Sequence, residues 1–103
     1  MRGDLYRLKS PRGARGSEQA KARYAVVIQS DVLPLSTWLV APTSTAARAA
    51  TFRPEVSVGG KKTQVLAEQA SAVDPERLGS RVGRLTAEEL RRVDAALRIV
   101  FDL

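Results

Sequence analysis

Arg23 stands immediately before an apolar run, YAVVIQS at residues 24 to 30, with a charged segment behind it. A guanidinium at such a junction can hold a phosphate through paired hydrogen bonds and disperse the charge that builds on it. Thr43, Ser44 and Thr45 set three hydroxyls at and just past the end of a second apolar stretch, TWLVAPT at residues 37 to 43. Hydroxyls there can bond a phosphate oxygen or orient a ribose hydroxyl. Glu18 and Glu68 are the carboxylates placed to act as bases, and Gln69 beside Glu68 could read a base edge. Each has a plainer reading. Arg23 could anchor a loop through a salt bridge, and the hydroxyls could satisfy turn backbone. Glu18 could close its own loop, Glu68 could pair with an Arg, and Gln69 could support the backbone.

The 103 residues contain no histidine and no cysteine. Disulfides, thiolate nucleophiles and thiolate metal sites are thereby excluded, as are the usual general base near neutral pH and the commonest zinc ligand. If the substrate were RNA, a phosphodiester could still be cut with the neighbouring 2′-hydroxyl as nucleophile. That reaction needs a base near the hydroxyl, an acid near the departing 5′-oxygen and positive donors on the phosphate. Arg, carboxylates and hydroxyls can supply all three, so neither metal nor cofactor is expected.

The formal net charge of +6 is concentrated at the start of the chain. Residues 1 to 23 carry seven basic side chains against Asp4 and Glu18, whereas residues 54 to 103 hold eight of each sign. A localised positive field suits a polyanion, either nucleic acid or an acidic protein segment. Arg12, Arg15 and Lys21 would form its rim, adding affinity and salt dependence more than sequence choice. An ordinary soluble composition, no apolar run of bilayer length and no signal-peptide pattern in MRGDLYRLKS point to one cytoplasmic domain over residues 1–103, away from membranes.

These residues need elements to hold them. DLYRLK predicts a short strand about residues 4 to 9, and residues 10 to 21, rich in Gly, Pro, Ser and charge, predict a loop. Residues 24 to 30 read as a strand covered on both faces, and 37 to 43 as another, after a turn containing Pro34. Strands are also expected at 55 to 58 before Gly59-Gly60, at 63 to 67, and at 80 to 85. Asp74, Pro75 and Gly79 outline a one-turn helix. Thr86 and Glu89 form a capping-box pattern, after which Leu90, Val93, Leu97 and Val100 make one apolar helical face, with Asp94 and Arg98 paired outside. Tyr6, Trp38 and Phe101 are expected mostly in the core, leaving Tyr24 and Phe52 to stack on bases. The elements predict a mainly β (α+β) fold, a small bent sheet or barrel closed by one C-terminal amphipathic helix.

GSEQ, three residues and then Arg, followed by an apolar strand ending in VIQSD, resembles the second-strand signature of the MazF/PemK family, the ribonuclease toxins of toxin–antitoxin pairs. RGDLY, VAPTST, VLAEQASAVDPERLGSRVGRL and the helix opening TAEE match further family segments in order. Two departures are visible: Tyr24 stands where the family has Pro after the Arg, and the connection after Asp31 is short. The resemblance implies a small SH3-like barrel of the CcdB/MazF/Kid type, with catalytic roles at Arg23, Ser44, Glu18 and Glu68. RNA contacts would fall at Arg12, Arg15, Ser17, Gln19, Lys21, Thr43, Thr45 and Gln69. It further implies a homodimer, an acidic MazE-like antitoxin, and sequence-specific cleavage of single-stranded RNA that stops translation. The rival reading is a non-catalytic nucleic-acid-binding or gyrase-inhibiting barrel. Gyrase poisons of the CcdB type depend on a Trp-Gly-Ile tail, whereas this chain ends IVFDL.

Overall fold

A computed structural model describes residues 1–9 and 23–103. Among the described residues there are seven strands: β1 (Asp4–Leu8), β2 (Arg23–Val27), β3 (Trp38–Ser44), β4 (Glu55–Val58), β5 (Lys61–Val65), β6 (Ser71–Val73) and β7 (Leu78–Arg84). One helix, α1 (Ala87–Phe101), follows them. The sheet runs β4-β5-β3-β2-β1-β7, with β6 also on β3, and every strand pair is antiparallel.

β2 is central, which explains its nearly unbroken apolar sequence. Val26 faces a core of Leu5, Ala41, Val56, Val65, Leu85 and Val93, closed by Leu90 and Leu97 of α1. Ala25 and Val27 face the other way, onto Val40 with Tyr6, Leu8, Trp38 and Val73. A strand buried on both sides has no polar face to alternate with.

β3 changes partners along its length. Val40, Ala41 and Pro42 pair with β2, whereas Thr43 and Ser44 pair with Val65 and Gln64 of β5. On that second edge Val40 meets Ser71 of β6. Residues 61–73 thus run antiparallel to β3 as one path with a three-residue excursion, the 3₁₀ turn Ala67–Gln69. The strand expected at 63–67 lies earlier, because Leu66 and Ala67 enter this turn. β6 has three residues and no apolar alternation, so sequence pattern offered no strand there.

Arg2-Gly3-Asp4 ties the layers together. Arg2 donates to Ile28 O at 3.0 Å and to Asp94 Oδ1 of α1 at 2.6 Å. Asp94 therefore serves Arg2 rather than the expected Arg98, since a partner across the fold competes with one a helical turn away. Gly3, at φ +90, bonds Val27 O through its N–H and Leu85 N–H through its carbonyl. Asp4 is buried and takes Arg81 and Arg84 on one oxygen, Oδ1, at 3.2 and 3.1 Å. Burial alone would raise its pKa; the Arg81 hydrogen bond and the terminal ammonium outweigh that and hold the carboxyl below its usual range.

The C-terminal helix begins as its sequence predicts. Thr86 Oγ1 accepts from Glu89 N, and Glu89 Oε1 accepts from Thr86 N. Glu89 Oε2 also accepts from Ser57 N at 2.8 Å, so the cap doubles as the link to β4. Phe101 is a correction: it is 56% exposed, the last residue of α1, in a helix end where Ile99 and Leu103 are exposed as well. Tyr6 and Trp38 are half-buried in an edge-to-face pair, ring centroids 5.5 Å apart. Gly79 is a second revision: the 3₁₀ turn ends at Arg77, and Gly79 lies inside β7, where a Cβ would stand 3.3 Å from Arg7 O. Among the described residues no helix is long and apolar enough to cross a membrane.

Candidate active site

The mouth of β2 and the end of β3 meet at one end of the sheet. Arg23 is the first residue of β2, exposed, and opposite Leu8 of β1. The β2–β3 ladder comprises Ala25–Pro42, Val26–Ala41 and Val27–Val40, with Arg23 two residues before its last pair on β2 and Ser44 two residues beyond it on β3. Thr43 keeps the strands joined past the last pair, its hydroxyl donating to Tyr24 O at 3.2 Å. Thr43 is buried and committed to that bond, whereas Thr45 is exposed beyond the strand end.

Ser44 caps the loop that follows. Its Oγ accepts from Ala46 N and Ala47 N, both at 3.2 Å. With its acceptor capacity used by two amides, the hydroxyl keeps one hydrogen to give, and cooperative polarisation makes it a better donor. Ser44 is thus built to donate rather than to take a proton. Gln64, its partner on β5, braces the same loop when its amide is turned to donate to Ala47 O and Arg48 O, each at 2.9 Å.

Glu68 projects from the 3₁₀ excursion, next to the point where Leu66 N bonds Pro42 O. Arg53 grips its Oε2 through Nε and a terminal nitrogen at 2.9 and 2.8 Å. The other oxygen, Oε1, is buried and has no hydrogen-bond partner among the described residues. A half-satisfied carboxylate is costly in a low-dielectric setting, so Oε1 is an acceptor awaiting a donor. Gln69, on the same turn, is exposed. Ser44 thus lies at the end of β3, the clamped carboxylate of Glu68 on the turn beside Pro42, and Arg23 at the start of β2.

Arg12, Arg15, Ser17, Glu18, Gln19 and Lys21 lie outside the described residues. Of the expected base-stacking residues, Tyr24 is half-buried, and Phe52 carries the Arg53 guanidinium 5.2 Å from its ring centroid. Sequence reasoning missed Arg53 and Gln64. Arg53 precedes a proline at a strand mouth, as a clue, but its partner is 15 residues away. Gln64 is visible only once the β3–β5 register is known.

Known proteins were compared with this fold and sequence. The family described as PemK-like, MazF-like toxin of type II toxin–antitoxin system matches residues 1–101. A Mycobacterium tuberculosis protein named a candidate toxin is 39% identical over 98 residues, 94% of this chain and 92% of that protein. An endoribonuclease in complex with its cognate antitoxin, from a mycobacterial species, superposes with a TM-score of 0.81 at 16% identity. That match covers 100% of this chain and 95% of the other. The Mycobacterium tuberculosis toxin MazF-mt6 gives 0.77 at 20% identity over 97% of each chain. MazF from Deinococcus radiodurans gives 0.77 at 21%, covering 99% of this chain and 96% of its own. These structures share the strand-rich, strongly curled sheet with a single C-terminal helix.

Proposed function

This chain belongs to the PemK-like, MazF-like toxin family of type II toxin–antitoxin systems, and from that premise we propose that it is an endoribonuclease cutting single-stranded RNA without a metal. Residues 1–103 act as one toxin domain. The neighbouring 2′-hydroxyl attacks the phosphorus, the bond to the 5′-oxygen breaks, and the products are a 2′,3′-cyclic phosphate and a 5′-hydroxyl. Arg23 holds the phosphate and spreads its transition-state charge, and Ser44 donates to a phosphate oxygen. Glu18 or Glu68 takes the proton of the attacking hydroxyl, and the departing 5′-oxygen takes a proton from water to become the 5′-hydroxyl. Thr45 and Gln69, with Arg12, Arg15, Ser17, Gln19 and Lys21, bind the flanking RNA, whereas Thr43, expected there from the sequence, is buried on Tyr24 O and holds the strand end. Cutting mRNA, and with it rRNA or tRNA, in the cytoplasm would halt translation and growth.

The observation that carries this reading is the end of the β2–β3 ladder at Ala25–Pro42, which leaves Arg23 at the start of β2 and Ser44 at the end of β3 on one side of the sheet's end, with Glu68 Oε1 buried and without a partner among the described residues. One observation favours the non-catalytic alternative: Arg53 already neutralises Glu68. Two partners accompany the enzyme reading. An acidic, MazE-like antitoxin fits the basic first fifth of the chain, and a related endoribonuclease has been solved in complex with its cognate antitoxin. A homodimer would cover the bare end of α1, where Ile99, Phe101 and Leu103 are exposed. Phe101 and Leu103 also line, with Leu39, a cavity of about 450 Å³.

Incubation with a long single-stranded RNA in excess EDTA separates enzyme from binder. Discrete cuts are expected to persist, and to vanish at any position carrying a 2′-O-methyl group. Stoichiometric binding with intact RNA would instead favour the non-catalytic barrel. Ser44→Ala is expected to lower kcat by about 10²-fold, the scale of one lost transition-state donor. Thr43→Ser, which keeps the hydroxyl bonded to Tyr24 O, should leave kcat within about threefold, since a donor already committed to backbone has nothing to lose at the phosphate. Equal losses in both variants would move the donor role from Ser44 to the cluster.

A further inference from the structure

The face of the sheet that carries Arg23 continues to a second cationic site. On β1, Leu8 opposes Arg23, Tyr6 opposes Ala25 and Arg81, and Asp4 opposes Arg84. Alternate strand residues share a face, so Arg23, Tyr6, Asp4 and Arg84 lie on the side away from α1. Arg81 joins them through an irregularity in β7. Between the pairs Leu5–Gly83 and Tyr6–Arg81 the register slips, leaving Val82 unpaired as an extra residue. Two arginines three positions apart, which a regular strand would send to opposite faces, therefore reach one oxygen of Asp4 at 3.2 and 3.1 Å.

Asp4 is 5% exposed, whereas the Arg81 and Arg84 side chains are 50% and 44% exposed. One buried carboxylate thus fixes two guanidiniums that remain open to solvent, with positive charge in surplus. Leu8 and Asp4 are four residues apart, so the Asp4 carboxylate on which both guanidiniums converge lies on a residue about 13 Å along β1 from the position opposite Arg23. The half-buried Tyr6–Trp38 aromatic pair occupies the interval. Cation, aromatic pair and cation in sequence is the arrangement single-stranded RNA binds, with phosphates on arginines and bases against rings.

We infer that the β1–β7 edge is a second anchor for single-stranded RNA, where Arg81 and Arg84 hold a backbone phosphate of nucleotides outside the cut site. The inference rests on the endoribonuclease reading and extends it to a footprint longer than the scissile dinucleotide. Forked guanidiniums match phosphate oxygens in pairs, and aromatic rings on the same face serve nucleobases, so RNA fits better than an acidic polypeptide.

The test uses two labelled RNAs, one spanning the cut site and one extended at both ends, each 2′-O-methylated at the cut to prevent cleavage. The variants are Arg81→Gln/Arg84→Gln and the same pair with Asp4→Asn, which removes the carboxylate those changes would strand. The longer RNA is expected to bind the wild-type chain more tightly, and both variants to lose that advantage. The slope of log affinity against log salt for the longer RNA should fall by about 0.7, for one phosphate contact on a single strand. Cleavage of the short RNA in its unmethylated form should be unchanged. An undiminished advantage, or an equal loss on both RNAs, overturns the second anchor. Loss of binding to polyglutamate with RNA affinity intact overturns it in favour of an acidic partner. A wild-type chain that binds neither RNA fails the underlying reading as well, a result distinct from normal cleavage that ignores both arginines.

Discussion

Arg23→Ala is expected to lower kcat/KM for single-stranded RNA by about 10²–10³-fold, the loss that follows removal of one preorganised charge-stabilising donor. The side chain is exposed at the first position of β2 and takes no part in either apolar cluster. Its removal should therefore cost no more than about 0.5 kcal/mol of stability, as for other surface substitutions. Kinetics and thermal melting on the same preparation check both halves. Arg23→Lys keeps the charge but loses the paired geometry, and should recover only a minor part of the rate. A folded Arg23→Ala chain cutting at wild-type speed would remove the residue from the chemistry.

The largest expected effect on stability is at Glu89. Its two oxygens accept Thr86 N and Ser57 N, so Glu89→Ala strands one amide at the helix start and another on β4. Both bonds are part-buried, and at about 1–2 kcal/mol for each donor left without a partner the variant should lose roughly 2–4 kcal/mol. For a chain of this size that corresponds to a fall in Tm on the order of 10–20 °C. Burial by itself would raise the pKa of Glu89, but hydrogen bonds from Thr86 and Ser57 N–H overcome it and hold the carboxyl below its ordinary 4.5. A depressed carboxylate stabilises the fold above its unfolded value, and that contribution fades as pH falls through the folded one. Glu89→Gln removes this charge-dependent part. Its stability gap from the wild-type chain should be full at neutral pH and shrink below about pH 4.5. A gap that stays constant into acid would mean the charge on Glu89 contributes nothing to the link between α1 and β4.

Local chemistry made much of the fold legible. The capping box, the Gly59-Gly60 turn after Glu55–Val58 and the Asp74-Pro75 start all act within a few residues, and all appear in the structure. Long-range effects were less visible. Asp94 turned to Arg2, 92 positions away, and Phe101 was left exposed at the helix end. The three-residue excursion that carries Glu68 leaves no periodic trace, because it is defined by what β3 pairs with on either side of it. For the proposed site, residue types pointed to Arg23, Ser44 and Glu68, and the strands supplied where each one sits: the start of β2, the end of β3 and the turn after β5. The Arg53 clamp and the bulge that aligns Arg81 with Arg84 depend on contacts made only after the sheet has curled.

The central claim is that a ribose hydroxyl, assisted by a guanidinium at the start of β2, performs the attack. Mass spectrometry of the fragments released from a defined RNA reads that chemistry at the new ends. The account predicts a 2′,3′-cyclic phosphate on the upstream fragment and a 5′-hydroxyl on the downstream one. A 3′-hydroxyl paired with a 5′-phosphate would mean that water attacked instead, and would contradict it.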